Sequence, residues 1–378
     1  MYSRIFEPPE DSSFFLFGAR GTGKSSWLRI HFNQSNYIDL LDDEVFNNLN
    51  AHPKNISDYI QNAKVPILID EVQKVPHLLD EVHRLIELKK YRFVLTGSSA
   101  RKLKKVGTNL LAGRAYTYHF HPLTSNEMGK DFRLNHVLKY GLLPMATQAR
   151  DPKKYLQSYV ATYLKEEVQQ EGLVRSLPSF GRFLQAASFS QASPLNVSQV
   201  AADCSVERKV VEDYFSILRD LLLSVELPIF SKKSKRELIK KSKFFFFDCG
   251  VYRAIKPRGP LDSESEINGS SLETLVMQNI RALNDYNSWQ YEMFYWHTRK
   301  HEEVDLILYG PMGLIAIEVK SSARLRKEDF YSLKLFKEDY PVAKTLLIYG
   351  GTEEKSIHGV QIIPASLFFQ KIGSYLIP

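Results

Sequence analysis

The chain is poor in cysteine, with Cys204 and Cys249 the only two in 378 residues. Two thiols give neither a disulfide framework nor a cysteine metal centre. No apolar run approaches the ~18 residues that a membrane-spanning helix requires. The first residues, MYSRIFEPPEDSS, lack the apolar stretch of a secretion signal. A cytoplasmic location is therefore expected. What is present is the make-up of a folded chain, 44% hydrophobic and 25% charged. Its length exceeds one ordinary core and suits about three domains. The formal net charge of +7 is only moderately basic, so its distribution matters more than its size. Residues 232–243 hold seven basic side chains against one acid, Glu237. Such a run is a solvated face, or a nucleic-acid contact when set on a suitable scaffold.

The most informative stretch is Phe14-Phe15-Leu16-Phe17 followed by Gly18-Ala19-Arg20-Gly21-Thr22-Gly23-Lys24-Ser25-Ser26. A short apolar strand runs into G-x-x-x-x-G-K-S, and a helix is expected to begin near Ser25. This is a phosphate-binding loop in its required context. Its backbone N–H groups can cradle a phosphate chain at a helix N-terminus. Lys24 is placed to reach the β- and γ-phosphates of ATP, and Ser25 to bind Mg²⁺. Hydrolysis needs a second element, and Val65-Pro66-Ile67-Leu68-Ile69-Asp70-Glu71 supplies it, an apolar strand ending in two acids. Asp70 is expected to hold the Mg²⁺ through water and Glu71 to polarise the attacking water. A third strand, Tyr91 to Leu95, closes in Thr96-Gly97-Ser98-Ser99, and Tyr116 to Phe120 alternates as a further strand.

Beyond residue 125 the pattern changes. Residues 126–180 read as polar-amphipathic helices, a lid or linker, with Arg175 the candidate for a second sensor of the nucleotide. Residues 181–248 carry two short helices split by a tight turn, Leu195–Cys204 and Lys209–Arg219, with Asn196 or Ser198 capping the first and Ser205 the second. Two strands follow, around Leu221–Phe230 and Lys243–Phe247, joined by the basic segment. The expectation is a winged helix whose hairpin tip projects into solvent, with Lys232, Lys233, Lys235, Arg236, Lys240 and Lys241 contacting DNA. A module that only packs domains together is the alternative.

Residues 249–378 carry a second chemical constellation. A helix through Leu272-Glu273-Thr274 precedes a strand at Phe294–His297, another at Glu302–Leu308 and a third at Gly313–Ser321. Alternation places Glu318 and Lys320 on one face of the third strand, with Asp305 beside them on the second. This D…E-x-K pattern suits a metal-dependent phosphodiesterase: Asp305 and Glu318 would bind Mg²⁺, Glu273 would complete the site, and Lys320 would help generate hydroxide. The Glu302-Glu303 pair reads as structural or accessory.

Together these residues resemble the prokaryotic AAA-type P-loop ATPases that carry a C-terminal restriction-endonuclease-like (PD-(D/E)XK-type) domain. The carriers of the resemblance are Gly18 to Ser25, Ile67 to Glu71, Leu95 to Ser99, Gly113-Arg114, Lys243 to Gly250, and Glu273, Asp305, Glu318 and Lys320. The resemblance implies an α/β chain with a P-loop core at 1–125, the lid at 126–180, the winged helix at 181–248 and the nuclease-like domain at 249–378. It implies ATP hydrolysis with Mg²⁺ and assembly into a homo-oligomer, a hexameric ring. Thr96 or Ser98 would sense the γ-phosphate, and Arg114 would serve as an arginine finger to a neighbouring subunit. A surface arginine paired with an acid is the rival reading of Arg114. The function expected is an ATP-driven motor on duplex or branched DNA. A nucleotide-dependent signalling switch and an ATP-gated nuclease are the alternatives.

Overall fold

The computed structural model describes residues 2–99, 103, 111, 113–163, 168–169, 174, 176–260 and 262–377. Arg175 lies outside them. The chain divides into two compact units, residues 3–122 with 218–223, and residues 1–2, 123–217 and 224–378. Everything expected after the P-loop core therefore falls mainly within a single unit.

The first unit is built on five parallel strands, β1 (Ser13–Phe17), β2 (Asn36–Asp39), β3 (Ile67–Asp70), β4 (Phe93–Gly97) and β5 (Ala115–His119), in the order β2-β3-β4-β1-β5. Their sequences explain their positions. The interior strands read FFLF, ILI and FVL and are buried throughout, as parallel strands covered on both faces must be. The edge strand β5 reads AYTYH and stays half-exposed. Helices α1 (Lys24–His31), α2 (Asp43–Ala51) and α3 (Leu78–Lys89) make the crossovers. Asp42 caps α2 by accepting the N–H groups of Glu44 at 2.9 Å and Val45 at 3.1 Å. Leu78, Leu79, Val82 and Leu85 of α3 share one buried face and pack with Ile67, Ile69, Phe93 and Leu95 of the sheet.

The second unit begins with four short helices, Ser125–Met128, Leu134–Tyr140, Pro144–Gln148 and Pro152–Ser158. Then come the helices Leu177–Ser188, Val197–Cys204 and Arg208–Asp220 and a small sheet of β6 (Ser193–Pro194), β7 (Ser224–Leu227) and β8 (Lys243–Phe246), ordered β6-β8-β7. Ser205 does not cap the second helix of this group as expected. It ends the first one in left-handed conformation, φ 52°, with its N–H on the Ala201 and Ala202 carbonyls.

A long helix, Glu264–Tyr286, leads into β9 (Glu292–His297), β10 (Glu303–Gly310) and β11 (Gly313–Lys320), a helix Tyr331–Asp339, then β12 (Lys344–Tyr349), β13 (Lys355–Ile357) and β14 (Val360–Pro364). These form a six-stranded sheet, β13-β14-β12-β11-β10-β9, antiparallel from β9 to β11 and parallel from β11 through β12 to β14. No helix among the described residues is long and apolar enough to cross a membrane.

The segment between β7 and β8 departs from the expected free hairpin tip. It runs along the edge strand β9. The Phe230 N–H bonds the Tyr295 carbonyl at 2.8 Å, the Tyr295 N–H bonds Pro228 at 3.1 Å, and Ile239 bonds His297 at 3.1 Å. Phe230 is buried among Trp296, Phe336 and Tyr340. An edge strand presents unpaired N–H and C=O groups, and this segment satisfies part of β9. Two apolar side chains, Phe230 just before the basic run and Leu238 within it, pull it down onto the sheet.

Candidate functional site

The loop after β1 is positioned by two glycines. A Cβ on Gly18 would lie 2.3 Å from the Phe120 carbonyl oxygen, so only glycine lets β1 and the residue after β5 approach this closely. Gly23 takes φ 90° directly before α1, which turns the chain into the helix. Thr22 is fully buried and folds back, its hydroxyl donating to the Ala19 carbonyl at 2.8 Å. The buried Lys24 ammonium donates to the Gly18 carbonyl and to Ala19 at 3.3 Å. Ser25 is half-buried on the first turn of α1, and Ser26 is exposed. Arg20 and Gly21 are half-buried in the loop.

Asp70 ends β3 and is 2% exposed. Two neutral hydroxyls hold it: Tyr37 donates to Oδ2 at 2.5 Å and Thr96 donates to Oδ1. Burial and Asp70 together raise the Tyr37 phenol well above its ordinary value, which keeps it a donor. Each Asp70 oxygen retains a lone pair. The carboxylate and the Ser25 hydroxyl are hard oxygen donors of the kind Mg²⁺ takes, so the residues fit that ion. Thr96 is thus committed to orienting Asp70. Ser98, 4% exposed, instead accepts from the Gln73 amide at 3.2 Å. That same amide donates to Glu71, which sits half-buried in left-handed conformation, φ 58°, immediately after β3. Lys24, Asp70, Glu71, Thr96 and Ser98 all lie at the C-terminal ends of β1, β3 and β4, where open parallel sheets bind ligands.

Tyr37 and Gln73 carry no signal in the sequence as a string. Tyr37 reaches Asp70 only because β2 pairs with β3 in the register Asp39↔Asp70. Arg114 is placed elsewhere. Ser13 pairs with Ala115, so Arg114 stands at the N-terminal ends of the strands, five residues at ~3.3 Å each from the loop end of β1. There it pairs with Glu87 of α3.

The acidic constellation of the second unit departs from the expected metal site. Glu273, Glu303 and Asp305 converge on the ammonium of Lys243, at 2.5, 2.5 and 3.0 Å. Lys243 is fully buried at the start of β8. Asp305 Oδ2 also accepts the Val319 N–H at 2.8 Å. Glu318 pairs with Lys320 at 2.6 Å. Burial raises Glu273 well above the usual carboxylate range, helped by Asp305. Burial and Asp305 push Glu318 up to about 8 despite Lys320. Burial also acts on Glu303, but Lys243 and His297 hold it down at about 2. Burial opposes the charge on Lys320, yet Glu318 and Asp305 raise its pKa above the ordinary lysine value.

The expected set of Glu273, Asp305 and Glu318 is engaged from within at its first two members, while Glu318 Oε2 is buried with no hydrogen-bond partner. Its centre is filled by a cation of the chain, and among the described residues no group of three or more His, Cys, Asp or Glu is arranged to hold a metal. Lys243 was hidden as the last member of a basic run. The available signal was its position directly before Phe244-Phe245-Phe246-Phe247, where a strand becomes buried.

On the basic segment, Lys232, Lys233, Lys235, Lys240 and Lys241 are exposed. Lys232 lies 3.9 Å above the Tyr309 ring and 3.5 Å from Glu292. Arg236 differs from the lysines: it is half-buried and paired with Asp339 at 2.9 Å and Glu338 at 3.6 Å.

Comparison with known proteins divides the chain into three. Residues 10–129 match the family model described as an AAA domain. Residues 131–262 and 268–368 match two models described as domains of unknown function, DUF8612 and DUF4143. No curated protein matches the chain. Among solved structures, the Aeropyrum pernix ORC1 protein in complex with DNA is 14% identical over 66% of this chain and 87% of its own, with a TM-score of 0.28. Protein VC1899 from Vibrio cholerae is 13% identical over 96% of this chain and 97% of its own, with a TM-score of 0.24. Neither score reaches the level at which two chains share a fold. The family match and the loop, strand order and acid pair of the first unit agree, and residues 10–129 are an AAA-type P-loop domain.

Proposed function

We propose that this protein is an ATP-hydrolysing, ring-forming motor that acts on DNA. The observation that carries the ATPase reading is the placement of Lys24, Asp70 and Glu71 at the C-terminal ends of β1 and β3, the parallel strands on either side of β4. Lys24 and the loop N–H groups bind the phosphates. Mg²⁺, held by Ser25 and Asp70, would neutralise charge on the β- and γ-phosphates. Glu71 accepts a proton from the attacking water as its oxygen bonds the γ-phosphorus and the bond to ADP breaks. Gln73 positions Glu71, and Thr96 and Tyr37 position Asp70.

Arg114 stands at the far end of its own sheet, which favours action on a neighbouring subunit's nucleotide over its own. The three helices followed by β7 and β8 support a winged-helix reading of residues 177–246. The helix, three antiparallel strands, helix and parallel strand of residues 264–349 support a restriction-endonuclease-like one, serving to bind rather than cut. The five exposed lysines of the basic segment support DNA contact, and Arg236 belongs to the fold.

The test is ATP turnover and DNA binding across a salt series. Wild type should hydrolyse ATP faster with duplex or four-way-junction DNA. Replacing Lys232, Lys233, Lys235, Lys240 and Lys241 with Ala should preserve basal turnover, remove the stimulation and flatten the salt dependence by up to about one counterion per lost contact. Identical slopes in fluorescence anisotropy would overturn the DNA reading. DNA-independent turnover would favour the signalling switch.

A further inference from the structure

The expected catalytic centre of the second unit and the cation found inside it do not match, and the mismatch has a physical meaning. An ammonium offers three N–H donors and no acceptor. Lys243 donates hydrogen bonds to Glu303 and Asp305 on β10 and stands in ion-pair contact, at 2.5 Å, with Glu273 on the Glu264–Tyr286 helix. Its side chain is 1% exposed, and the ammonium lies 5.8 and 5.9 Å from the Tyr295 and Phe245 ring centres. A hard cation surrounded by carboxylate oxygens is also what a divalent ion would require. Both cannot stand at one point.

We propose that the Lys243 ammonium replaces the divalent cation at the Glu273–Glu303–Asp305 cluster, making it a metal-independent lock that ties β8 to the long helix and the six-stranded sheet, and that removing this lysine turns the cluster into a divalent-cation site. The charge balance follows from the contacts. Without Lys243 the three acids face one another in a buried place, an arrangement that a divalent ion stabilises and water does not. Lys320 cannot compensate, since Glu318 engages it at 2.6 Å. The lock also explains why a lysine directly precedes four phenylalanines. The strand enters the core there, and a cation can follow it inside only where acids wait. This inference does not depend on the ATPase or DNA reading of the protein.

The experiment is a Mn²⁺ titration of the nucleotide-free full-length chain, read by electron paramagnetic resonance and by melting temperature. Wild type should show no Mn²⁺ binding that Glu273→Gln removes. Lys243→Ala should melt lower than wild type, gain one Mn²⁺ per chain, and recover melting temperature as the ion is added. Both gains should vanish in Lys243→Ala/Asp305→Asn, which separates this site from any ion at the P-loop. A folded Lys243→Ala that gains no ion would overturn the proposal. So would wild-type binding of Mn²⁺ that is lost in Glu273→Gln, and this arm decides even if Lys243→Ala does not fold.

Discussion

Two carboxylate sites in this molecule begin from the same ingredients and end differently. In each, an aspartate stands within or at the end of an apolar strand, buried, with a lysine in the same unit's motif. Asp70 is hydrogen-bonded by the neutral hydroxyls of Tyr37 and Thr96. Asp305 is bonded by the ammonium of Lys243 and shares it with two glutamates. Neutral donors orient a carboxylate and leave its charge intact for a ligand. An internal ammonium offsets part of that charge and converts the group into a structural tie. A sequence motif records which charged residues are present, while function depends on what already neutralises them.

The sharpest break of this comparison lies in turnover. Glu71→Gln should lower the ATP hydrolysis rate by a factor of about 10²–10⁴, the range of a lost general base, with nucleotide still bound. Asp70→Asn should also lower turnover, because the amide keeps the size but not the charge. The corresponding changes Asp305→Asn and Glu318→Gln should leave ATP turnover and any nuclease background unchanged. Steady-state phosphate release with nucleotide binding measured in parallel checks this. A Glu71→Gln enzyme as fast as wild type would remove Glu71 from the mechanism.

The reverse contrast should appear in stability. Lys243→Met leaves three buried acids without their cation, and breaking a buried pair in this way costs about 3–5 kcal/mol. Thr96→Val removes one neutral donor from Asp70, which costs about 1–3 kcal/mol. Urea unfolding of each variant measures the difference, read on the transition of the affected unit. Adding Glu273→Gln and Glu303→Gln to Lys243→Met should restore part of the loss, since the acids then no longer need a counter-ion. Equal costs for Lys243→Met and Thr96→Val would erase the distinction between the two sites.

Much of the first unit was legible in the sequence for a specific reason. Gly18 to Ser25, Ile67 to Glu71 and Phe93 to Ser98 are local signals, in which one short segment contains both the strand and the group that it presents. The strands β7 and β8 were readable in the same way, from a change of composition. What the string concealed were partnerships across strands. Tyr37 meets Asp70 through the β2–β3 register, and Gln73 meets Ser98 across the sheet's end. Lys243 is the plainest case. Its neighbours in sequence are basic and exposed, its neighbours in space are acidic and buried, and only the pairing of β8 brings the second set to it. The path of the basic segment is concealed for a related reason: its lysines announce solvent, where five of them lie, but Phe230 and Leu238 fix its course along β9.

A pH dependence is expected that only the second site should show. Burial and the neighbouring Asp305 raise Glu318 to about 8 in the folded chain, with Lys320 and Lys243 acting in the opposite direction. Its unfolded value is the ordinary one for glutamate, about 4.3. A folded pKa above the unfolded one means that the folded state holds this proton more tightly. The contribution to stability is therefore complete below the unfolded value and is lost as pH rises through about 8. One proton limits the slope to ~1.4 kcal/mol per pH unit. Glu318→Gln keeps the shape and cannot ionise. Between pH ~5 and ~8 its urea midpoint should fall less than that of wild type. Glu273 is also raised and contributes to both proteins alike, so the difference between the two curves isolates Glu318. Parallel curves would show that Lys320, at 2.6 Å, holds Glu318 ionised throughout.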